Sequence, residues 1–198
     1  ALPISYAFVV TAIDMAGNTQ LEEKSVRINE NIIWSDDLIL SSNNVDIPSY
    51  SMVSHQGSVH IAWEESLNSA PRISYSQFDS NGNLIINDRI ISNSFFNAKN
   101  PHISVNQDSV FIFWNDDRDG NNEIYFSKLD GLGNEFISNN RLTFNSFNSY
   151  SPQVVHVANR IFVSWIEDRE GQKNLVVREI NNQGDSITHR SEEHTSEL

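Results

Sequence analysis

Apolar and polar positions follow one another in short runs of strand length, and the same order of runs returns along the chain. In the first clear unit they predict four strands, near residues 50–55, 58–64, 72–79 and 83–91. Asn- and Gly-rich strings such as SNGN and DGNN separate the strands, and these residues supply the positive φ angles that tight hairpins need. No segment outside the strands carries a useful helical period. The pattern therefore predicts an all-β chain.

The repeat has a period of 51 residues, because this distance separates Trp63, Trp114 and Trp165. The glycine before each fourth strand keeps the same spacing, at Gly82, Gly133 and Gly184. Internal repetition at a fixed spacing of this size is typical of propellers and other arrays of stacked units. We expect repeats at about 43–94, 95–146 and 147–189, within a region that spans 33–189.

The tryptophan strand is apolar at consecutive positions, as in the string VFIFW that ends at Trp114. A strand that is apolar on both faces is buried on both faces, which a sheet stacked between two other sheets requires. Four antiparallel strands in such a unit are typical of one propeller blade. The sequence thus predicts a partial β-propeller of about three four-stranded antiparallel blades.

The string WNDDRDGNNEIYFSKLD at 114–130, closed by Gly133, resembles repeats of exported bacterial proteins with sialidase-like propellers, related to the BNR or Asp-box class. The resemblance implies a secreted or cell-surface bacterial protein and a fold of stacked blades. Sialidase repeats carry an S-x-D-x-G-x-x-W turn between their third and fourth strands. Here the aspartate of that turn is replaced by Ser80, Gly131 and Asn182, which puts a sialidase activity in doubt.

The two ends of the chain differ from the repeat. Residues 5–28 alternate between apolar and polar, and the string VTAIDMAGN at 10–18 resembles the end of a fibronectin-III or bacterial immunoglobulin-like domain. We therefore expect residues 1–29 to be the last strands of such a β-sandwich, followed by a linker at 29–32. The string RSEEHTSEL at 190–198 resembles a translated sequencing adapter, and we interpret it as an artefact.

Composition excludes several classes of function. The formal net charge of −13 repels phosphate backbones, so we expect no nucleic-acid partner. No apolar run approaches the roughly 18 residues of a membrane-spanning helix. The chain contains 0 cysteines, which excludes disulfides and thiolate metal sites.

The turn after the second tryptophan offers oxygen ligands at alternate positions, and these could wrap one Ca²⁺ if Gly120 permits the bend. The candidate ligands are Asn115, Asp117, Asp119 and Glu123. The equivalent turns of the other units do not repeat the set. The alternative is an ordinary acidic hairpin turn, and no other cofactor is expected.

A recurring Asp-Arg pair and one histidine are expected to stabilise the fold and not to take part in catalysis. Asp117-Arg118 recurs as Asp168-Arg169. A catalytic group should be singular, so we expect the aspartate to accept turn amides and the arginine to pair with a neighbour. His60 occupies the position of two phenylalanines in the other units and is expected in the core.

Strand order predicts that one end of the propeller collects the blade-to-blade loops together with the loops between second and third strands. Aromatic rings and amides beside carboxylates at this end could hold a sugar by stacking and hydrogen bonding. The candidate ligand-binding residues are Phe95, Asn97, Phe144, Asn148 and Tyr150. Phe96 and Phe147 recur and are expected to fill the seam between blades.

Three functional hypotheses follow. The first is a non-catalytic propeller segment of a large exported or cell-surface protein that binds a glycan or a protein, with further blades of the full-length chain as its packing partners. The alternative is a sialidase-like glycoside hydrolase whose catalytic residues lie mostly in other blades, since no residue of this chain is singled out as catalytic. In the third, the propeller only supports an enzyme domain elsewhere in the protein.

Overall fold

The computed structural model describes residues 6–13, 19–26, 39–41, 46–66, 70–92, 95–158 and 160–187, the first two of these ranges by their backbone alone. The chain divides into two compact units, Ala1–Leu38 and Ile39–Leu198. All regular elements of the described residues are strands. The chain is therefore all-β, as the alternation of apolar and polar positions predicts.

The first unit contains an antiparallel pair, β1 (Tyr6–Ile13) and β2 (Thr19–Val26), in register from Tyr6↔Val26 to Ile13↔Thr19. Its assignment to an immunoglobulin-like domain stays a prediction, and the turn at 14–18 and the linker at 29–32 lie outside the described residues.

The second unit contains three antiparallel sheets in chain order. The first sheet comprises β3 (Tyr50–His55), β4 (Ser58–Glu65), β5 (Arg72–Phe78) and β6 (Leu84–Ile90). The second comprises β7 (Lys99–Asn106), β8 (Ser109–Asp116), β9 (Glu123–Asp130) and β10 (Glu135–Arg141). The third comprises β11 (Asn148–Val157), β12 (Arg160–Arg169) and β13 (Gln172–Ile180). After β13, a single bridge joins Ile180 to Ser186 where the fourth strand begins in the other sheets, and residues 188–198 are not described.

Two hydrophobic cores join these sheets face to face. One core combines residues of the first and second sheets, such as Tyr75 and Trp114, and the other combines residues of the second and third, such as Phe126 and Trp165. Trp114 and Trp165 thus belong to the faces that their sheets turn toward the preceding sheet. Successive antiparallel sheets stacked in this way are propeller blades. The partial β-propeller is confirmed.

Burial along the tryptophan strands follows the stacking. In β8, which lies between two other sheets, every side chain from Val110 to Asp116 is buried. In β12 buried and half-buried residues alternate, because only the tryptophan face of the third sheet meets another described sheet. The prediction that both faces are buried therefore holds in full for the middle sheet.

The first strands of the three sheets, β3, β7 and β11, lie beside one another. A side chain of one strand accepts a bond from a backbone N–H of the next: Ile103 N donates to Ser51 Oγ at 3.2 Å, and Val154 N donates to His102 Nδ1 at 3.1 Å. Acceptor and donor are 52 residues apart in both cases. These strands are the inner strands of the propeller arc.

No helix among the described residues is long and apolar enough to cross a membrane.

Candidate functional site at the loop end

One end of the arc gathers the loops that connect blades and the loops that connect second and third strands, and we call it the loop end. Its described residues are 66, 70–71, 91–92, 95–98, 117–122, 142–147 and 170–171. Hydrogen bonds tie the two kinds of loop together. Asn97 Nδ2 donates to Asp117 Oδ2 at 2.5 Å, and Asn121 Nδ2 donates to the Phe147 carbonyl oxygen at 2.6 Å.

A buried carboxylate follows each tryptophan by two residues, at Glu65, Asp116 and Glu167, with exposed fractions of 1%, 0% and 4%. In the second sheet, Trp114 Nε1 donates to Asp116 at 3.2 Å and Arg118 pairs with the same carboxylate at 2.6 Å. Each of these buried carboxylates has an arginine partner that balances its charge, and the Asp116 carboxylate also accepts from the indole. The paired carboxylates therefore hold the loops in place. In the third sheet Arg169 pairs with Glu167 in the same way at 2.6 Å, whereas in the first sheet the partner of Glu65 is Arg72 at the start of β5, at 2.5 Å.

This arrangement agrees with the structural interpretation of the recurring Asp-Arg pair, although the arginine takes as its partner the acid two residues earlier. Arg118 also stacks on Tyr125, with its guanidinium carbon 4.4 Å from the ring centroid. Arg169 lies 5.2 Å from the Phe147 ring, and Arg118 lies 5.7 Å from the Phe96 ring. The two recurring phenylalanines therefore pack against the recurring arginines.

Glu123 is the centre of the largest polar network at this end and is completely buried. Arg141 Nη2 and the Asn145 backbone N–H donate to it at 2.8 Å and 3.1 Å, and the Thr143 hydroxyl donates to its second oxygen. A carboxylate with this many donors is satisfied and positions the blade-connecting loop.

Glu64 is a buried carboxylate that does not recur, because its equivalents are Asn115 and Ile166. Its Oε2 accepts from the Ser49 hydroxyl at 2.8 Å and from the Asn100 backbone N–H at 3.1 Å. It lies where the inner strands of the first two blades begin. Sequence reasoning missed this residue, although the 51-residue alignment marks it as non-recurring.

Three aromatic rings are strongly exposed at or next to the loop end. Phe95 is 83% exposed, Phe144 is 73% exposed and Tyr50, at the start of β3, is 72% exposed. Arg141 lies 4.9 Å from the Phe144 ring centroid. Exposed rings next to fixed polar groups are suited to stacking on the apolar face of a sugar. Tyr50 was not among the predicted ligand residues.

The predicted amides serve the loops. Asn97 is bonded to Asp117, as described above, and Asn148 Oδ1 accepts from the Asn122 backbone N–H at 2.9 Å. Tyr150 is half-buried, with the Lys173 amine 5.7 Å from its ring centroid. Ligand binding by these three residues stays a prediction, and Phe95 and Phe144 offer the more accessible surfaces.

The proposed calcium ligands have other partners. Asn115 Oδ1 accepts from Asn100 Nδ2 at 3.0 Å, and Asp117 accepts from Asn97. Asp119 and Glu123 both pair with Arg141, at 2.8 Å each. Among the described residues, no group of three or more His, Asp and Glu is arranged to hold a metal ion. Because these oxygens already accept hydrogen bonds or pair with arginine, the contacts do not fit a preformed calcium loop, and Ca²⁺ binding stays a prediction.

The turns before the fourth strands use a different aspartate from the Asp-box turn. Asp79 Oδ1 accepts from the backbone N–H groups of Asn81 and Asn83, both at 2.8 Å. Asp130 and Asn181 do the same in the other sheets. The turn acceptor thus lies three residues before the glycine instead of two, a recurrence that the alignment contains and that sequence analysis overlooked.

No family model matches the chain, and no curated protein is detectably similar to it. Its fold is similar to that of a thermostable family-43 glycoside hydrolase, with 10% identity and a TM-score of 0.50 over 92% of this chain and 70% of the other. It is also similar to an exo-1,5-α-L-arabinanase from a bovine ruminal metagenomic library, with 10% identity and a TM-score of 0.50 over 93% of this chain and 69% of the other. A third similar structure is the GH43B protein of a Bacteroides ovatus xyloglucan locus, with 10% identity and a TM-score of 0.51 over 96% of this chain and 39% of the other. At these identities the likeness establishes a shared fold: the chain is built like part of a propeller of the kind found in these carbohydrate enzymes.

Proposed function

We propose that this chain is part of a glycan-directed β-propeller and that the protein to which it belongs is a glycoside hydrolase. The observation that carries the proposal is the loop end, where exposed aromatic rings adjoin a rigid network of carboxylates, arginines and amides. The shared fold with family-43 propeller enzymes supports it. In this proposal the loop end contacts the sugar. Export to the cell surface or medium, where polysaccharides occur, belongs to the same proposal.

Catalytic carboxylates are expected outside the inner strands described above. The strands Tyr50–His55, Lys99–Asn106 and Asn148–Val157 contain no Asp or Glu. The recurring acids near the tryptophans are already paired with arginine. Glycoside hydrolysis needs two carboxyl groups across the scissile bond. Glu64 is the described acid best placed to join such a pair, because it is singular and its donors are neutral.

A non-catalytic binding role is the second candidate. It is favoured by the same shortage of uncommitted acids, and it would use the aromatic rings alone. A sialidase activity is less well supported, since the turns between third and fourth strands depart from the Asp-box pattern in both sequence and hydrogen bonding.

Sugar binding is tested with the chain itself. Titration with arabino-oligosaccharides, xyloglucan oligosaccharides and sialyllactose, followed by tryptophan fluorescence and calorimetry, should give saturable binding to at least one. Phe144→Ala should weaken it at least tenfold, because stacking on an exposed ring is lost. Phe136→Ala is the matched control: Phe136 is 69% exposed but lies on the outer strand β10. Equal loss in both variants, or no binding, would contradict a sugar site at the loop end.

Catalysis is tested with the complete protein on aryl arabinofuranosides, xylosides and sialosides. Turnover that falls at least a hundredfold in Glu64→Gln, with sugar affinity retained, would assign hydrolysis to this end of the propeller. Binding without turnover would favour the non-catalytic role. Turnover of sialosides alone would restore the sialidase interpretation.

A further inference from the structure

A cavity of about 170 Å³ lies between the first and second sheets, at the end opposite the loop end, where the hairpins between first and second strands turn. Its polar side is formed by His55, His60 and Gln77 of the first sheet. Val105 and Val110, which are paired across β7 and β8, form an apolar wall on the second sheet. The cavity thus combines buried polar groups with an apolar surface.

Three side chains of the first sheet form a hydrogen-bonded chain beside this cavity. The Tyr75 hydroxyl donates to Gln77 Oε1 at 3.1 Å, and its oxygen lies 2.8 Å from His60 Nδ1. Because the hydroxyl hydrogen is directed to Gln77, His60 Nδ1 is the donor in the second bond. This order leaves His60 Nε2 as a hydrogen-bond acceptor and the Gln77 amide N–H groups as donors.

The polar chain is restricted to the first sheet and is deeply buried. His60, Tyr75 and Gln77 are 3%, 0% and 7% exposed. In the second sheet, phenylalanines that are completely buried occupy the positions of His60 and Tyr75, namely Phe111 and Phe126. Packing between blades therefore does not require polar residues here. Buried polar groups cost free energy unless they are fully bonded, so a network of this kind indicates a role other than packing.

The network is incomplete on the side of the cavity. His55 Nε2 is buried and has no hydrogen-bond partner among the described residues. Within the same part of the chain, the Tyr75 bonds are the side-chain hydrogen bonds of His60 and Gln77, and they engage neither His60 Nε2 nor the Gln77 amide nitrogen. Burial, together with the charge of His55, lowers the pKa of His60 to about 4. The imidazole is therefore neutral at neutral pH and keeps its lone pair.

The chemistry of the lining selects an uncharged ligand that carries hydroxyl groups. A hydroxyl both donates and accepts, which matches an imidazole lone pair next to an amide donor. The described lining contains no Lys or Arg, and the exposed Asp108 at the mouth and the net charge of −13 disfavour an anion. No group of three or more His, Asp and Glu among the described residues is arranged for a metal ion.

The size of the cavity limits the ligand to one ring. Cavities of about 150 Å³ hold one molecule of the size of benzene. A monosaccharide has one ring of this size, hydroxyl groups along its edge and C–H groups on its faces. The C–H groups suit the wall formed by Val105 and Val110.

We propose that this cavity binds one free, uncharged monosaccharide, with a sugar hydroxyl donating to His60 Nε2 and the Gln77 amide donating to a second hydroxyl. The site lies between two blades at the end opposite the loop end. It is therefore separate from the sugar contact proposed at the loop end and does not depend on it.

The test is a titration of the chain with glucose, galactose, arabinose and xylose, followed by calorimetry and by the imidazole resonances in heteronuclear NMR. At least one sugar should bind saturably and shift the signals of His60 and His55, while the signal of His102, outside the cavity, stays unchanged. His60→Phe and Gln77→Met should each weaken binding at least tenfold. Gln153→Met, the same change at an exposed position of β11, should leave the affinity unchanged. Circular dichroism confirms that each variant is folded.

Two further measurements make the proposal specific. Glucuronate and galacturonate should bind at least tenfold more weakly than the best neutral sugar, because the described lining offers no cation. Phe144→Ala should not change the affinity for the monosaccharide, and His60→Phe should not change the binding of oligosaccharides at the loop end, so each sugar site can fail without the other. Absence of monosaccharide binding, binding that survives both cavity substitutions, or tighter binding of the acids would overturn the proposal.

Discussion

Gly133 lies directly against Ile86 of the preceding blade: a Cβ at Gly133 would be 2.5 Å from the Ile86 Cδ1 atom. Gly184 stands in the same relationship to Phe126, at 2.2 Å from the Cζ atom. Gly82 has the same φ as Gly133, +81°, but nothing within 4 Å of its virtual Cβ. The turn between third and fourth strands thus needs glycine in every blade because its φ angle is positive. Where a preceding blade is present, the turn also needs glycine because a side chain would collide with that blade.

This difference separates backbone strain from packing between blades. The tip of the half-buried Ile86 can move aside, whereas the fully buried Phe126 ring meets a Cβ at Gly184 with three of its atoms. We therefore expect Gly184→Ala to destabilise the fold by about 1–3 kcal/mol more than Gly82→Ala, which is the usual cost of overpacking. Both variants pay the same penalty for a positive φ. Urea unfolding of the two variants measures the difference directly. Equal destabilisation would contradict the close packing of this turn on the Phe126 ring of the preceding blade.

The buried Asp116–Arg118 pair should be essential to the second blade. Asp116→Ala removes the acceptor of both the Trp114 indole and the guanidinium, so a loss of about 3–5 kcal/mol is expected, as for other buried pairs that lose one partner. Asp108→Ala, in the exposed turn before β8, is the control and should change the free energy of unfolding by less than about 0.5 kcal/mol. Similar losses in both would contradict the role assigned to Asp116.

Acidification should destabilise the arc through its buried histidines. Burial, together with the charge of His55, lowers the pKa of His60 to about 4, and burial also lowers the pKa of His102 and His156. The unfolded chain therefore binds more protons, and stability falls as the pH drops from about 6.5 towards 4. Protonation of His102 would also remove the acceptor for Val154 N–H.

The control for this pH dependence is His60→Phe, which installs the residue found at the equivalent position of the other blades. It should flatten the decline in the free energy of unfolding between pH 6.5 and 4, and the Tyr75 hydroxyl keeps Gln77 as its acceptor at 3.1 Å. An unchanged slope in urea titrations at several pH values would show that His60 does not contribute.

In the turns that precede the fourth strands, the acidic side chain and the amide side chain can exchange positions. Asp79 bonds to Asn83 in the first blade, whereas Asn181 bonds to Asp185 in the third, so the acid and the amide have changed places. The double variant Asp79→Asn/Asn83→Asp should retain the thermal stability of the wild type, while Asp79→Ala should lower it because two backbone N–H groups lose their acceptor. A melting temperature that falls as much in the double variant would refute this equivalence.

The strands and their stacking could be predicted because the signals are local and repeated. The 51-residue spacing placed β4, β5 and β6 within one or two residues of their observed ends. The site was harder to predict. Asn97 and Asn148 recur at the same position, yet one bonds to Asp117 and the other to the Asn122 backbone, because the loops differ in their neighbours. The ion pair between Asp119 and Arg141 could not be predicted from the local spacing of the proposed calcium ligands, because Arg141 lies 22 residues further along the chain.

The bonds between inner strands have a consequence for how such a protein can vary. The Ile103 and Val154 bonds each use a main-chain donor from the following strand, so the accepting residue need only carry a lone pair: a serine hydroxyl serves at one junction and an imidazole at the next. The side chain at this position can therefore change from blade to blade, provided that it keeps an acceptor, without loss of the bond that joins one inner strand to the next.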